Sequence, residues 1–465
     1  MPAAPKPILM TLEVKKSVAI ILIGNFLEFF DLLLAVHMTL VLTQLFLPPN
    51  SSHTPLLVTF TFCSSFCIRP IAAFFWGYVG DAIGRVPVLV TTTFLMSISC
   101  VLIPNIPTYA EWGMTSAVLF LLMRLVQGFA SGGECIAADV FITETVPKPA
   151  VYFCSALVEA TCSLGGLVAC GIGVICLKLS PEHGWKIPFY IGSGVAVLGT
   201  IARKTLKETP EFIKTLQANE SRRKFFDIYS NIKIKNTNIL ALFAMYLFPA
   251  VAFYFALCFV PSLLVNEYGY DPSAAMLQTL VVLTSTMCLE VIYGLLGLKY
   301  NPFTILKTKL YLLIGILPIV TALFVFAKSP LTLFFIQITI NGLGQGLTPA
   351  TPIINRSFPV VGRYTYLLFI WAISHSIAYL LTGYVCEAIT NFHVLCGLLF
   401  ITALISLAGV YLFNPEKLVK NPEVAHSPST DSFLIGGDSE NDPNVVLFEK
   451  QKNRLLKSWM KKNIT

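Results

Sequence analysis

Long apolar segments recur along almost the whole chain, and each could cross a lipid bilayer as an α-helix. A spanning helix needs about 20 mostly apolar residues. The chain is 55% hydrophobic and only 12% charged, a composition outside the usual range of soluble domains. We therefore predict an all-α polytopic membrane protein with twelve transmembrane helices. The predicted spans are 17–44, 55–79, 87–105, 115–140, 150–177, 185–203, 237–265, 272–298, 305–327, 329–352, 359–388 and 392–413.

The distribution of Lys and Arg predicts the orientation of these spans. Basic residues lie mainly in the two tails and in the segments after spans 2, 4, 6, 8 and 10, whereas only Lys178, Lys186 and Lys328 fall in segments on the other side. Cytoplasmic loops carry the excess of basic residues, so we predict that both termini are cytoplasmic. The net charge of +7 is then a sign of topology, and we expect no nucleic-acid partner. The polar N-terminal segment lacks the features of a cleavable signal, so the first span should be retained.

One hydrophilic stretch divides the predicted spans into two groups of six. Two six-helix halves joined by a cytoplasmic linker are typical of a transporter built from repeats, with its substrate site between the halves at the membrane midplane. The C-terminal segment, rich in Pro and Ser, is predicted to be disordered, and its last part to be either an amphipathic helix on the membrane surface or a solvated tail. The predicted domains are a cytoplasmic N-terminal tail 1–16, an N-terminal half 17–203, a central linker 204–236, a C-terminal half 237–413 and a cytoplasmic C-terminal tail 414–465.

Span 1 contains the stretch GNFLEFFD, which places an amide and two carboxylates inside an apolar helix. Asn25, Glu28 and Asp31 are spaced three residues apart, so we expect them along one face of the helix that points into the protein. Charged groups are costly in lipid and usually face a cavity or a partner. The stripe is either a structural polar seam between helices or a substrate and proton site, and we favour the second interpretation.

Other polar side chains within the predicted spans extend this candidate site. Span 4 carries Arg124, Gln127 and Glu134 among small residues that favour close helix packing, and span 5 carries Glu159. Arg124 and Glu134 are about 15 Å apart along the helix, which is too far for a direct ion pair. Each must therefore find its partner on another helix or on the substrate. Arg69 in span 2 is interpreted as a structural pairing residue.

The loop after span 2, GYVGDAIGR, is a candidate gate. Asp81 and Arg85 lie four residues apart, and three glycines accompany them, Gly77, Gly80 and Gly84. This segment resembles the Gly-rich motif of the major facilitator superfamily, which braces the inner gate of those transporters. The resemblance implies the same role here. The corresponding segment after span 8, GLLGLKYNP, has lost the acidic residue.

Four segments of the N-terminal half resemble the metabolite:proton symporter family more specifically. They are GNFLEFFD, IRP, QGFASGGE followed by ITE, and GWKIPF followed by LKETPEF. The resemblance implies proton-coupled import of a small solute across a bacterial inner membrane, with a proton as coupling ion, no other cofactor and no metal. Members of that family carry proline or betaine, and others carry organic acids such as 2-oxoglutarate.

A zwitterionic solute is favoured by the charges within the spans. Six acids accompany two arginines there, so a dicarboxylate would meet a negative vestibule. The solute's carboxylate could pair with Arg124, and its amine with Glu28 or with aromatic faces by cation–π attraction. The candidate aromatics are Phe26, Phe29, Phe30 and Phe129, for which packing or lipid contact is the alternative. Glu28 or Glu134 is the expected proton carrier.

Two alternatives to zwitterion symport remain. The same fold could transport organic acids, or the chain could be a membrane sensor that signals through its tail. The expected partners are a small solute and the lipid bilayer. Enzyme activity is not expected, because the sequence offers no nucleophile elbow, phosphate loop or metal-binding cluster.

Overall fold

A computed structural model describes residues 10–48, 64–180, 183–213, 234–388 and 392–415. The described chain is almost entirely helical. Most of the predicted central linker and the predicted C-terminal tail, with its possible amphipathic helix, lie outside the described residues.

The N-terminal half contains nine labelled helices, several of which are pieces of one predicted span. Breaks divide span 1 at Met38 and span 4 at Cys135–Ile136. The helices are α1 Leu12–His37, α2 Thr39–Phe46, α3 Arg69–Ala82, α4 Arg85–Leu102, α5 Tyr109–Trp112, α6 Met114–Glu134, α7 Ala137–Thr145, α8 Ala150–Leu179 and α9 Lys186–Arg203.

The first helix begins earlier than the apolar pattern predicts. The side chain of Thr11 accepts a hydrogen bond from the backbone N–H of Val14 and caps α1. Residues 12–16, assigned to the N-terminal tail, are therefore helical. Polar residues obscured this start because they lie in the first turn, where Glu13 also reaches Lys207 at 3.9 Å.

The C-terminal half follows the same pattern with its own breaks. A five-residue π-helical segment, Phe255–Phe259, interrupts predicted span 7, and a loop interrupts predicted span 10 between Gly344 and Thr351. The helices are α10 Asn236–Tyr254, α11 Val260–Asn266, α12 Pro272–Gly297, α13 Pro302–Ala327, α14 Pro330–Gly344, α15 Thr351–Ser357, α16 Val360–Ala388 and α17 Phe392–Leu412.

Nine helices in the described ranges are long and apolar enough to cross a membrane. The other three predicted spans have visible reasons for falling short. Span 2 begins outside the described residues, span 10 is reduced to 15 residues by its break, and span 6 is the 18-residue helix α9. The architecture is that of twelve membrane helices in two six-helix halves.

Two pairs of helices hold the halves together. Helix α8 packs against α12, and α3 packs against α16. Small residues permit both helix pairs to pack closely. A Cβ on Gly294 of α12 would lie 2.5 Å from the Cβ of Ala156 on α8. A Cβ on Gly77 of α3 would lie 2.8 Å from the Cα of Thr365 on α16. A substrate site between the halves must therefore lie between these two contacts.

Candidate functional site

The three polar residues of span 1 contact three different neighbours. Asn25 donates to the carbonyl of Val158 on α8 at 2.9 Å. Glu28 accepts a long hydrogen bond, 3.8 Å, from the thiol of Cys135, which directly follows α6. Asp31 is packed against α9, where a Cβ on Gly192 would lie 2.2 Å from its Oδ1. All three are buried, as expected for a stripe that points into the protein. A three-residue step turns about 60° short of a full helical circle, so the stripe drifts around α1 and its members meet different helices.

Glu134 is paired inside the N-terminal half. Its Oε2 lies 2.6 Å from Nη1 of Arg203, and its Oε1 accepts hydrogen bonds from Thr92 at 2.5 Å and Thr93 at 2.9 Å. Arg203 is only 1% exposed. We had placed Arg203 at the cytoplasmic boundary, but it ends α9 and its side chain turns inward over Gly24. Glu134 thus has a structural counter-charge.

Two buried arginines of the N-terminal half have no carboxylate within ion-pair distance among the described residues. Arg124 donates to Gln127 at 2.8 Å and to Ser65 at 3.1 Å. Arg69 is 2% exposed, and neither its Nε nor its Nη2 makes a hydrogen bond. Its guanidinium lies 4.3 Å from the ring centre of Phe66 and 5.3 Å from that of Trp371 on α16. Arg69 therefore lies where the two halves meet, and the ion pair that we predicted for it is not formed.

The four predicted aromatics are dispersed. Phe29 lines a cavity between the halves. Phe30 is buried in a cluster within the N-terminal half, and Phe26 lies beside it with ring centres 6.4 Å apart. Phe129 packs against Trp76 of α3, with ring centres 5.5 Å apart. The packing alternative thus accounts for Phe30 and Phe129.

The cavity that Phe29 lines has a volume of ≈ 70 Å³ and receives side chains from both halves. Glu159 comes from α8, and Glu290 comes from α12 on the opposite side. The loop that breaks predicted span 10 approaches Glu159 closely, since a Cβ on Gly346 would lie 3.2 Å from its Cδ. Gly346 has φ +62°, which favours glycine. Of the predicted carboxylates, Glu159 is the one that lines this cavity.

Glu290 has a counter-charge that the sequence analysis missed. Nζ of Lys309 lies 3.6 Å from its Oε1 and donates to the carbonyl oxygens of Gln345 and Thr348 at 3.2 and 3.4 Å. Lys309 is 2% exposed. We had counted it among the cytoplasmic basic residues after span 8, but α13 begins at Pro302 and Lys309 is two turns into it. The carbonyl oxygens of Gln345 and Thr348, which follow the end of α14, explain why the Lys309 side chain points inward.

The glycines and charges of the candidate gate lie where α3 meets α16. Asp81 accepts hydrogen bonds from the N–H and the hydroxyl of Thr365 at 3.1 and 2.7 Å, and its Oδ1 lies 3.5 Å from Arg85. A Cβ on Gly80 would lie 2.4 Å from the ring of Tyr364. Gly84 has φ +124°, a conformation that other residues rarely adopt.

Further charged residues extend this contact across the halves. Arg85 lies 3.2 Å from Glu144, which also accepts from Arg363 of α16 at 3.0 Å. Arg363 in turn pairs with Glu211 at 2.9 Å. We refer to Asp81, Arg85, Glu144, Glu211 and Arg363 as the gate network. It closes this end of the molecule, because its members come from both halves and their ion pairs are buried.

The sequence analysis missed several of these residues for a common reason. Arg203, Glu144, Lys309, Glu211 and Arg363 all lie at the ends of predicted spans or just beyond, where charge is expected in solvent. The sequence did offer a signal for two of them, because Glu144 and Glu211 belong to motifs that resemble the family. ITE and LKETPEF had been noted as motifs, and both contribute acids to the gate network.

Two bundles of membrane helices, joined by two helix pairs and enclosing a polar cavity at their interface, are the architecture found in secondary transporters built from repeats. The family model of the Major Facilitator Superfamily matches residues 21–359. The chain belongs to that superfamily, so the resemblance and fold class that we predicted are confirmed. Because this family consists of transporters, the expectation of a non-enzymatic protein is also confirmed.

Similar proteins and structures support this assignment. The chain is 27% identical over 309 residues to the proline/betaine transporter of Salmonella typhimurium, an alignment that spans 63% of this chain and 62% of that protein. It is 25% identical over 427 residues to the proline/betaine transporter of Escherichia coli, covering 85% and 82% of the two chains. The structure of a proton:xylose symporter with a bound glucose analogue matches with a TM-score of 0.70 at 16% identity, covering 86% of this chain and 94% of that one.

Proposed function

We propose that this chain is a proton-coupled symporter that imports a small zwitterionic solute of the proline or betaine type. Transport would occur by alternating access across the inner membrane of a bacterium, with both termini and the gate network on the cytoplasmic side. The proton is the proposed coupling ion, and the solute and the bilayer are the proposed partners. The similar transporters named for proline and betaine support this substrate class.

The observation that carries the proposal is the separation of opposite charges at the interface between the halves. Arg69 is buried at the α3–α16 contact and has no ion pair within the part of the chain that the structure describes, whereas Glu159 and Glu290 line a cavity bordered by α8 and α12. A zwitterion carries one group for each site: its carboxylate suits the guanidinium, and its amine suits the carboxylates. Burial makes each attraction stronger than it would be in water.

The ion pairs revise the charge balance on which the sequence argument rested. Glu134 is neutralised by Arg203 and Glu290 by Lys309, so fewer acids remain uncompensated than the sequence count implied. Glu28 is therefore a better proposed proton carrier than Glu134, because among the described residues no basic group lies within ion-pair distance of it. It lies close to both Glu134 and Arg69, so its charge would influence the proposed carboxylate site.

A second candidate substrate is a dicarboxylate such as 2-oxoglutarate. The observation in its favour is the proximity of Arg69 to Arg124, two buried cations without a carboxylate within ion-pair distance among the described residues. A dicarboxylate could engage both. It would leave Glu159 without a role, which is why we prefer the zwitterion.

Uptake by the full chain in proteoliposomes tests the proposal. Labelled proline, glycine betaine and 2-oxoglutarate are each supplied with and without an inward proton gradient. We expect gradient-driven accumulation of proline or betaine that a protonophore abolishes, and at least a tenfold loss in Arg69→Gln. Accumulation of 2-oxoglutarate alone would select the second candidate, and zwitterion flux that ignores the gradient would exclude proton coupling. Glu28→Gln should retain exchange of internal for external solute but lose accumulation.

A further inference from the structure

Carboxylates of both halves line the cavity between Glu159 and Glu290. Glu159 belongs to α8 and Glu290 to α12, the helices whose contact joins the halves. A ligand held between these side chains would contact both halves at once. Alternating access requires the site to do this when the transporter is occluded.

Glu290 indicates what kind of ligand the cavity would bind. The residue is 2% exposed, and among the described residues neither of its carboxylate oxygens has a donor at normal hydrogen-bond distance, although Lys309 and Thr348 lie nearby. Lys309, at 3.6 Å, directs hydrogen bonds instead to the carbonyl oxygens of Gln345 and Thr348. A buried carboxylate without hydrogen bonds is costly. The cavity therefore favours a cation or a hydrogen-bond donor.

The charge around the cavity points in the same direction. Two carboxylates line it, and the one basic group near them in the described chain, Lys309, is shared with backbone carbonyls. Asp139 also lies near Glu159, but it is not among the residues that line the cavity, and Ser155 donates a hydrogen bond to it at 2.8 Å. An anion would meet repulsion here, whereas a monovalent cation would be attracted.

Part of the cavity wall is apolar and aromatic, which suits an organic cation. Phe29 of α1 and Phe253 of α10 line the cavity together with the aliphatic side chains of Leu33, Leu257 and Leu283. Aromatic faces attract alkylated ammonium groups, which are weakly hydrated and fit apolar surroundings. Oxygen-bearing side chains of Ser163, Thr286, Asn341 and Gln345 line the rest of the cavity, so a metal ion, which needs a shell of several oxygen ligands, is the competing occupant that the experiment has to exclude.

We propose that this cavity binds the amine end of the solute, a quaternary or protonated secondary ammonium group, between Glu159 and Glu290. The inference rests on the proposed function and adds the position of the cationic group, which differs from the span 1 site that the sequence indicated. Glu159 would contribute from the N-terminal half and Glu290 from the C-terminal half. The bound cation would attract carboxylates of both halves and so favour the occluded state.

Calorimetric binding of choline to the purified full chain in nanodiscs tests this inference without relying on transport. Choline carries the quaternary ammonium group but no carboxylate. We expect it to bind and to compete with glycine betaine. In Glu159→Gln its Kd should rise at least tenfold, whereas in the matched control Asp139→Asn, which removes a nearby acid outside the cavity lining, Kd should change less than threefold.

A second variant keeps the test decisive if Glu159→Gln does not fold. Phe29→Leu conserves apolar character but removes an aromatic face, and we expect choline to bind it three- to tenfold more weakly. Failure of the wild-type chain to bind choline would overturn the inference, as would unchanged affinity in the variants or displacement of choline by millimolar Na⁺ at constant ionic strength. The uptake assay reports separately on the proposed function, because choline binding without zwitterion accumulation would contradict transport alone.

Discussion

Glu134 and Arg203 form an ion pair of 2.6 Å inside the N-terminal half, although 69 residues separate them in the chain. The carboxylate also accepts hydrogen bonds from the hydroxyls of Thr92 and Thr93 on α4, and Arg203 donates to the carbonyl oxygen of Leu89 at 3.2 Å. The pair therefore links α6, α4 and α9. Glu134, the last residue of the motif QGFASGGE, therefore contributes to packing within the N-terminal half.

Replacing one partner of this pair should destabilise the protein more than replacing both. Arg203→Gln leaves Glu134 buried without its counter-charge, and we expect a loss of about 3–5 kcal/mol in stability. The double variant Glu134→Gln/Arg203→Gln should recover most of that loss. Thermal unfolding in detergent, followed by intrinsic fluorescence, measures both. Equal stability of the single and double variants would mean that the pair contributes no coupling.

The gate network should keep its end of the molecule closed. Arg363→Gln removes contacts to Glu144 and Glu211 that join the halves. We expect faster hydrogen–deuterium exchange in the peptides around residues 78–88 and 358–366, because a carboxylate left unpaired favours the hydrated, open state. Lys207→Gln is the matched control, since its pair with Glu13 is exposed and worth little. Exchange that rises equally in both variants would indicate a nonspecific effect.

Close packing of α3 on α16 should be sensitive to a single methyl group. A Cβ on Gly77 would lie 2.8 Å from the backbone of Thr365, which cannot move aside like a flexible side chain. We expect Gly77→Ala to destabilise the closed end by about 1–3 kcal/mol through overpacking. Gly194→Ala provides the control, because a Cβ there meets nothing within 4 Å. The same exchange experiment compares them, and a closed end unaffected by Gly77→Ala would show that the helices can separate without cost.

Glu208 should make closure depend on pH. It lies outside the helices, accepts from the N–H groups of Val86 and Thr209 at 3.1 and 3.2 Å, and burial raises its pKa although Arg85 lowers it. Opening would expose the carboxyl and return its pKa towards about 4.3. The closed end then binds the proton more tightly, so this contribution to closure is complete below the exposed pKa and is lost as pH rises through the higher, buried pKa.

The measurement for Glu208 is the ratio of exchange protection between the wild-type chain and Glu208→Gln at each pH. Intrinsic exchange rates cancel in this ratio. Because Gln resembles the protonated carboxyl, the two proteins should be similar at acidic pH, and the wild type should become less protected than the variant as pH rises. A ratio that stays constant across the range would contradict the prediction.

The sequence was sufficient to predict the membrane helices and the family, because both depend on local properties. Apolar length sets the spans, and GNFLEFFD and GYVGDAIGR are recognisable without any partner. The predicted boundaries were less accurate where a cap or a break decided them. Thr11 starts α1 within a polar segment, and the loop after Gly344 interrupts an apolar run.

The tertiary structure alone decided which charges are paired and which line the cavity. Glu134 and Glu159 look alike in sequence, as acids within apolar helices, yet one is paired with Arg203 and the other lines the interface with Glu290. Lys309 and Arg203 look like loop residues and are buried. The physical reason is that a buried charge is stabilised by partners far away in the chain, and their arrival depends on how helices pack, which local periodicity does not specify.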